Sequence, residues 1–247
     1  MIIVSVSLIC NMVRRLKKTG ISIILICLVG AIHAQNRATD MSGWLGLAIK
    51  QKISDKLSYR IMGRVRATEN MTLLKSYYVD AGLYYNFKPN FSISLNYVYS
   101  PSKVSDGYFR TYHQYYTSIN NKININNYWY FSNRIIFQHT SSFFIIDQGY
   151  KPYSRTDARE KLTLNRRLTR KDRVYIADEL MTTLFIPDVD LKRNRLYLGV
   201  NHKFTKQLSV DAFFLLQSTF NRKNSNSDLF VYGVTINYKF RKMMDDD

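Results

Sequence analysis

The sequence predicts an all-β protein, an antiparallel transmembrane β-barrel that follows a cleaved signal peptide. Three observations lead to this prediction. Segment after segment alternates apolar and polar residues, as in "LFVYGVTINYKF" at 229–240, and a period of two gives a strand one apolar and one polar face. Aromatic residues are abundant, with 19 Tyr and 14 Phe. The chain opens on basic residues followed by an apolar run.

The start of the chain has the three parts of a secretory signal. Arg14, Arg15, Lys17 and Lys18 precede an apolar run at 20–32, and "AIHA" ends in a small residue at 34. The run is about 13 residues long, whereas a spanning helix needs about 20. We therefore predict a signal peptide over 1–34, with residue 12 as an alternative start. An N-terminal extension over 35–42, a barrel over 43–240 and an acidic tail over 241–247 follow.

Cysteine usage and charge limit the chemistry of the exported chain. Both cysteines, Cys10 and Cys27, lie in the predicted leader, so the mature chain would have no disulfide, cysteine nucleophile or cysteine metal site. Lys and Arg number 36 against 18 Asp and Glu. The basic residues are spread along the chain, and export argues against nucleic acid. Membrane lipids and small anionic solutes are the partners that this charge favours.

Eleven alternating segments follow one another as predicted strands, joined by connections that alternate between short and long. In 57–65, for example, Leu57, Tyr59 and Ile61 share one face. The strands are "GWLGLAIKQKI", 57–65, 77–87, 91–99, "YHQYYTSI", 129–137, "REKLTLNRRL", "RVYIADELMTTL", 195–204, 208–216 and 229–240. The short turns are 54–55, 88–90, 120–122, 169–171 and 205–207, and the longer loops are 67–76, 100–108, 139–153, 185–192 and 220–228.

The strand count raises a question of closure. A closed antiparallel barrel formed by a single chain needs an even number of strands. The sequence therefore predicts about 10–12 strands and favours twelve, with the missing strand hidden in 35–43 or in 141–150. If the first segment lies outside the barrel, the count is ten.

The apolar face of each strand is predicted to contact lipid. Strands of about 10–14 residues can span a membrane at a tilt. About eleven strands enclose a lumen too wide for one layer of side chains. The polar faces carry charged residues, and many aromatic residues lie near strand ends, where outer-membrane barrels have aromatic girdles. Phe131, Leu83, Val234 and Leu198 should then face outward. A soluble, exported, ligand-binding barrel with its apolar face inward is the alternative.

Two resemblances support the membrane prediction. "LFVYGVTINYKF" resembles the last strand of bacterial outer-membrane barrels, in which Tyr238 and Phe240 would be the assembly signal read by the barrel assembly machinery. From "GWLGLAIKQKISDKLSYRI" through "NRIIF", "ADEL", "NRLYLGV" and "VTINYKF", residues 43–240 resemble the outer-membrane barrels of domain-of-unknown-function family 2490. The resemblance implies the outer membrane of a Gram-negative bacterium and brings no mechanism.

Charged residues on the polar faces are predicted to line the lumen. Glu179 should lie within ion-pair distance of Arg134, Arg167 or Arg195, because an unpaired carboxylate in a narrow lumen is costly. These charges either pair with one another structurally or form an anion-preferring passage, so the predicted function is that of a structural or small-pore, transport-like barrel. The predicted lumen charges are Arg60, Arg64, Arg66, Asp80, Arg134, Lys161, Arg167, Glu179, Arg195, Asp211 and Lys239.

One histidine–serine pair offers an enzymatic alternative. His139 and Ser141 are two residues apart on one face, which resembles the base and nucleophile of outer-membrane phospholipase A. That family also has an orienting asparagine on the next strand. Here Asn165 lies too close to the opposite membrane edge to reach the pair. The sequence therefore predicts no enzyme, and it predicts no cofactor or metal, because the histidines lack metal-ligand spacing.

Overall fold

The computed structural model describes residues 38–103, 108–142, 153–184, 190–220 and 227–240, so the predicted signal peptide and acidic tail lie outside the described residues. The described residues form one closed β-barrel, which confirms the predicted fold class. The strands are β1 (Ala38–Lys52), β2 (Leu57–Thr68), β3 (Leu73–Lys88), β4 (Phe91–Lys103), β5 (Phe109–Asn124), β6 (Trp129–Ser142), β7 (Tyr153–Arg167), β8 (Asp172–Leu184), β9 (Asp190–Lys203), β10 (Leu208–Thr219) and β11 (Ser227–Lys239).

The barrel closes with eleven described strands, so the preference for twelve was wrong. Each strand pairs antiparallel with the next, whereas β1 and β11 pair in parallel, from Ala38 opposite Ser227 to Lys50 opposite Lys239. A barrel with an odd number of strands can close in this way, because the hydrogen bonds of a parallel pair also satisfy the backbone N–H and C=O groups of both strands. Residues 38–42, expected in an extension, belong to β1. Of the other suggested position, 141–150, residues 141–142 belong to β6 and 143–150 lie outside the described residues.

Four connections at one end of the barrel, which we call the turn end, share one hydrogen-bonding pattern. They span 53–56, 125–128, 168–171 and 204–207, and in each the first N–H bonds to the carbonyl four residues later. The second residue is Ser54, Asn126, Thr169 or Thr205, whose side-chain oxygen accepts the backbone N–H of the residue three positions later, the first residue of the next strand. Such side chains favour turns for this reason. The turn predicted at 120–122 was wrong, because β5 continues to Asn124.

At the opposite end, the loop end, β2 and β3 are joined by a four-residue turn that is shorter than the predicted loop 67–76. Glu69, Asn70 and Met71 all have positive φ, a conformation that L-residues seldom adopt in succession. The Asp40 carboxylate accepts the N–H groups of Glu69 and Asn70 at 3.1 and 3.0 Å and the Thr68 hydroxyl. A single carboxylate from β1 therefore holds this turn.

The barrel is polar inside and apolar outside. Among the described residues, 21 polar or charged residues are buried against 12 apolar ones, the reverse of a soluble protein. Leu83, Leu198 and Val234 are exposed on the outer face, as predicted. Phe131 is half-buried and shares its strand parity with the exposed Phe137. No helix in the described part of the chain is long and apolar enough to cross a membrane.

The outer face also contains two polar pairs between neighbouring strands. Asn133 on β6 donates to Glu160 on β7 at 3.1 Å, and Asn194 on β9 donates to Asp178 on β8 at 2.9 Å. Glu160 is opposite Ile135, and Asp178 is opposite Leu196, so both acids lie among apolar residues. The amide partners satisfy one oxygen of each carboxylate.

Candidate functional site: the basic interior of the barrel

A cavity of about 580 Å³ occupies the barrel interior, and all eleven strands contribute to its wall. Cations dominate this wall, with nine basic side chains against three acidic ones. Trp44, Phe213 and several tyrosines supply flat apolar surfaces between the charges. The charged lining residues are Arg60, Arg64, Arg66, Asp80, Arg134, Arg155, Arg159, Lys161, Glu179, Arg193, Arg195 and Asp211.

The structure brings nine of the eleven predicted lumen charges to this cavity. Of the other two, Arg167 lines a separate cavity at the turn end, and Lys239 is exposed at the same end. The sequence reasoning missed Arg155, Arg159 and Arg193. Strand parity could have identified Arg159, which shares the parity of Lys161, whereas Arg155 and Arg193 lie just before the predicted strands, which began at 159 and 195.

Glu179 is the centre of the strongest polar network in the cavity. Its carboxylate accepts from Arg159 Nη2 at 2.7 Å, from Arg195 Nη1 at 3.3 Å and from the Tyr197 hydroxyl at 3.1 Å. The predicted pairing with Arg195 is therefore confirmed, whereas Arg159 is a partner that the prediction lacked. Arg159 also donates to Gln138, and Arg195 donates to Gln217. The network thus links five strands, β6 to β10.

The other interior acids are also engaged. Asp80 accepts the Tyr116 hydroxyl at 2.7 Å, and Asp211 accepts the Tyr175 hydroxyl at 3.1 Å. Asp157, which is completely buried, pairs with Arg155 Nε at 2.8 Å and accepts the Thr183 hydroxyl at 3.0 Å. Asp80 and Asp211 thus bond to neutral tyrosine hydroxyls, and the three acids that line the cavity are outnumbered by its nine basic side chains.

Several interior arginines have hydrogen-bonding capacity left over. Among the described residues, the buried Nε atoms of Arg64, Arg66, Arg134 and Arg193 have no hydrogen-bond partner. Arg66 lies over the rings of Trp44 and Tyr78, at 4.3 and 4.7 Å from their centroids. Arg193 is in electrostatic range of Arg66, Arg155, Arg159 and Arg195. Like charges this close favour an anionic occupant, because the described acids do not compensate them.

The asparagine that the enzymatic alternative requires does not approach the histidine–serine pair. His139 is exposed on the outer face and contacts Thr156 Oγ1 at 3.0 Å, while Ser141 is nearly buried. Asn165 is buried with the interior parity of β7 and lies opposite Tyr130, nine residues from His139 along β6. Its amide donates to the Thr163 carbonyl. No group of three possible metal ligands occurs among the described residues.

The residues of the predicted assembly signal end β11 at the turn end. Tyr238 and Phe240 stack edge to face with centroids 4.9 Å apart, and Phe240 is exposed. The Phe240 N–H bonds to the Lys50 carbonyl of β1 at 2.9 Å.

Comparisons with known proteins found one matching family and two similar structures. The model of the family described as "Protein of unknown function (DUF2490)" matches residues 41–228. Two solved structures are similar. The NanC porin has 8% identity and a TM-score of 0.49, covering 81% of this chain and 99% of the porin. The β domain of the Bordetella autotransporter BrkA has 12% identity and a TM-score of 0.45, covering 72% of this chain and 82% of that domain. No curated protein matches significantly.

Proposed function

The chain belongs to the DUF2490 family, and from this premise and the geometry of the interior we propose that it is an outer-membrane barrel of a Gram-negative bacterium whose lumen accepts small anions. The observation that carries this proposal is the set of four interior arginines with unpartnered Nε atoms among the described residues, in a cavity whose described acids are already engaged. The proposal has two parts, a membrane location and an anion preference.

The outer face supports the membrane location. Leu45, Leu95 and Leu198 are each more than 60% exposed, and burying such side chains in lipid is favourable by roughly 25 cal/mol per Å². The strands have 12–16 residues, more than the roughly 9–11 that a tilted transmembrane strand requires. Closure of the sheet pairs each described strand with two neighbours, so no open strand edge with unpaired backbone groups faces lipid. These features favour a membrane barrel over the soluble alternative.

The charge distribution supports the anion preference. Rings of Arg and Lys favour anions in pores, because the fixed positive potential lowers the energy of an anion and raises that of a cation. A guanidinium stacked over an aromatic ring keeps its N–H edge available, and Arg66 over Trp44 is such a group. A phosphate or carboxylate would complete the hydrogen bonds that Arg66 and Arg193 lack among the described residues.

The test is planar-bilayer recording of the folded protein under a salt gradient. The reversal potential should indicate anion preference. Arg66→Gln and Arg193→Gln should each lower the anion-to-cation permeability ratio roughly twofold or more, because each removes one positive charge from the lumen. Lys206→Gln is the matched control, since Lys206 is exposed in a turn and does not line the cavity.

Three results would contradict the proposal. Cation preference in the parent protein would refute the electrostatic argument, and absence of conductance from folded, inserted protein would refute passage through the lumen. Recovery of the mature protein in a detergent-free soluble fraction would refute the membrane location.

A further inference from the structure

A second cavity, separate from the interior one, lies at the turn end of the barrel. It has a volume of about 660 Å³ and is formed by the ends of β5–β9 together with two of the turns. We call it the turn-end pocket. Its wall carries six basic side chains, which are Lys122, Arg167, Arg170, Lys171, Arg173 and Lys203.

Three of these cations converge on one buried tyrosine. Arg173 Nη1 donates to the Tyr130 hydroxyl at 2.6 Å, Lys122 Nζ lies 4.3 Å from the centre of the Tyr130 ring, and Arg167 lies 5.6 Å from it. Lys122 is in electrostatic range of both arginines. Cation–π contacts with a single ring offset little of the repulsion among three cations.

The described acids are fewer than the cations of this pocket. Asp211 is in electrostatic range of Arg173, but it lines the interior cavity and accepts from Tyr175. Asp172 is the only acidic residue in the described lining, and it is occupied by His202 Nδ1 at 2.6 Å and by the Thr169 hydroxyl at 2.6 Å. The buried Nε of Arg173 has no partner among the described residues. Lys239, at the end of β11, adds a further positive charge in range of Arg173 and Lys203. A group that accepts hydrogen bonds and carries negative charge is what this arrangement lacks.

We propose that the turn-end pocket is an oxyanion-binding site in which Lys122, Arg167 and Arg173 hold a phosphate or carboxylate group against Tyr130. The oxyanion would accept from Arg173 Nε and Lys122 Nζ, and both are charge-assisted hydrogen bonds. Tyr130 fixes the site because its hydroxyl orients the Arg173 guanidinium and its ring supports Lys122.

Anion binding at this site can be measured apart from conduction through the barrel. Its basic residues do not line the interior cavity, and Arg66 and Arg193 do not line the turn-end pocket. A closed barrel could hold the oxyanion equally well.

The experiment is calorimetric titration of the full-length protein in detergent micelles with inorganic phosphate at low ionic strength. Phosphate should bind, and Arg173→Gln and Lys122→Gln should each weaken binding about tenfold or more, because each removes a charge-assisted hydrogen bond. Lys206→Gln controls for the loss of one charge at the same end. Arg193→Gln controls for phosphate that binds in the interior cavity.

A second arm distinguishes free phosphate from the chain's own carboxylates, since residues 245–247 are all Asp. The variant Asp245→Asn, Asp246→Asn, Asp247→Asn is titrated beside the parent. Binding to the parent supports a free oxyanion, and binding to the variant alone supports a site that carboxylates of this chain occupy. Absence of binding to both proteins, or equal affinity in the Arg173→Gln and Lys206→Gln variants, would overturn the proposal.

Discussion

At the residue scale, Glu179 is the carboxylate on which the interior network depends. It is almost completely buried and accepts from Arg159, Arg195 and Tyr197. Neither arginine has another described acid as an ion-pair partner. Removing the carboxylate would therefore leave two close guanidinium groups, and the cost of breaking a buried pair comes largely from the charge left uncompensated.

Glu179→Gln should lower the free energy of unfolding of the folded barrel by about 3 kcal/mol, measured by denaturant titration in micelles with tryptophan fluorescence. The double variant Glu179→Gln, Arg159→Gln should lose less than the sum of the two single variants, because the pair is coupled. Glu69→Gln is the matched control, as Glu69 is exposed in the β2–β3 turn. An effect of Glu179→Gln equal to that of Glu69→Gln would show that the network contributes nothing to stability.

Strand parity alone predicted that Glu179 and Arg195 share the interior, and their pairing followed from electrostatics. The sequence could not identify Arg159 as the closer partner, because that choice depends on the register between β7 and β8. In that register Lys161, not Arg159, lies directly opposite Glu179, so the contact is diagonal. The pairing of Glu179 with Arg195 was therefore predictable from the sequence, whereas the closer pairing with Arg159 was not.

At the element scale, two glycines accommodate aromatic rings from the neighbouring strand. Gly199 on β9 lies opposite Tyr175 on β8, and Gly233 on β11 lies opposite Phe213 on β10. A Cβ at Gly199 would be 2.4 Å from the Tyr175 ring, and one at Gly233 would be 2.1 Å from the Phe213 ring. An aromatic ring that lies over a glycine of the neighbouring strand fixes the register of the two strands. The sequence did not indicate these contacts, because it does not show which residue lies opposite each glycine.

Gly233→Ala should displace the Phe213 ring, which contacts Trp44 and Tyr197 at centroid distances of 6.2 and 6.0 Å. We expect a loss of about 1–3 kcal/mol in unfolding free energy, together with a change in tryptophan emission. Gly63→Ala is the matched control, since a Cβ there meets no atom within 4 Å. Equal stability of the two variants would contradict the packing described for Phe213.

At the scale of the whole molecule, the parallel β1–β11 pair determines where the described chain begins and ends. With eleven strands, Ala38 lies at the loop end and Lys239 at the turn end. An even-stranded barrel would have both at one end. Eleven alternating segments are visible in the sequence, and twelve strands were predicted only because a closed antiparallel barrel needs an even number. The requirement for an even number of strands applies to barrels in which every pair is antiparallel. Here β1 and β11 pair in parallel, so an odd number of strands can close.

Cysteine cross-linking tests this closure, in a chain whose Cys10 and Cys27 are replaced by Ser. Met41 lies opposite Phe230, and Ile49 lies opposite Tyr238, so Met41→Cys with Phe230→Cys and Ile49→Cys with Tyr238→Cys should both form disulfides on mild oxidation. The mismatched pair, Met41→Cys with Tyr238→Cys, is separated by eight residues along β11, about 26 Å, far beyond disulfide reach. Cross-linking of both matched pairs requires the two strands to run in the same direction, because an antiparallel arrangement would bring one end of β1 to the opposite end of β11. If neither matched pair cross-links in folded protein, another strand separates β1 from β11 and the barrel has the even count that antiparallel closure demands.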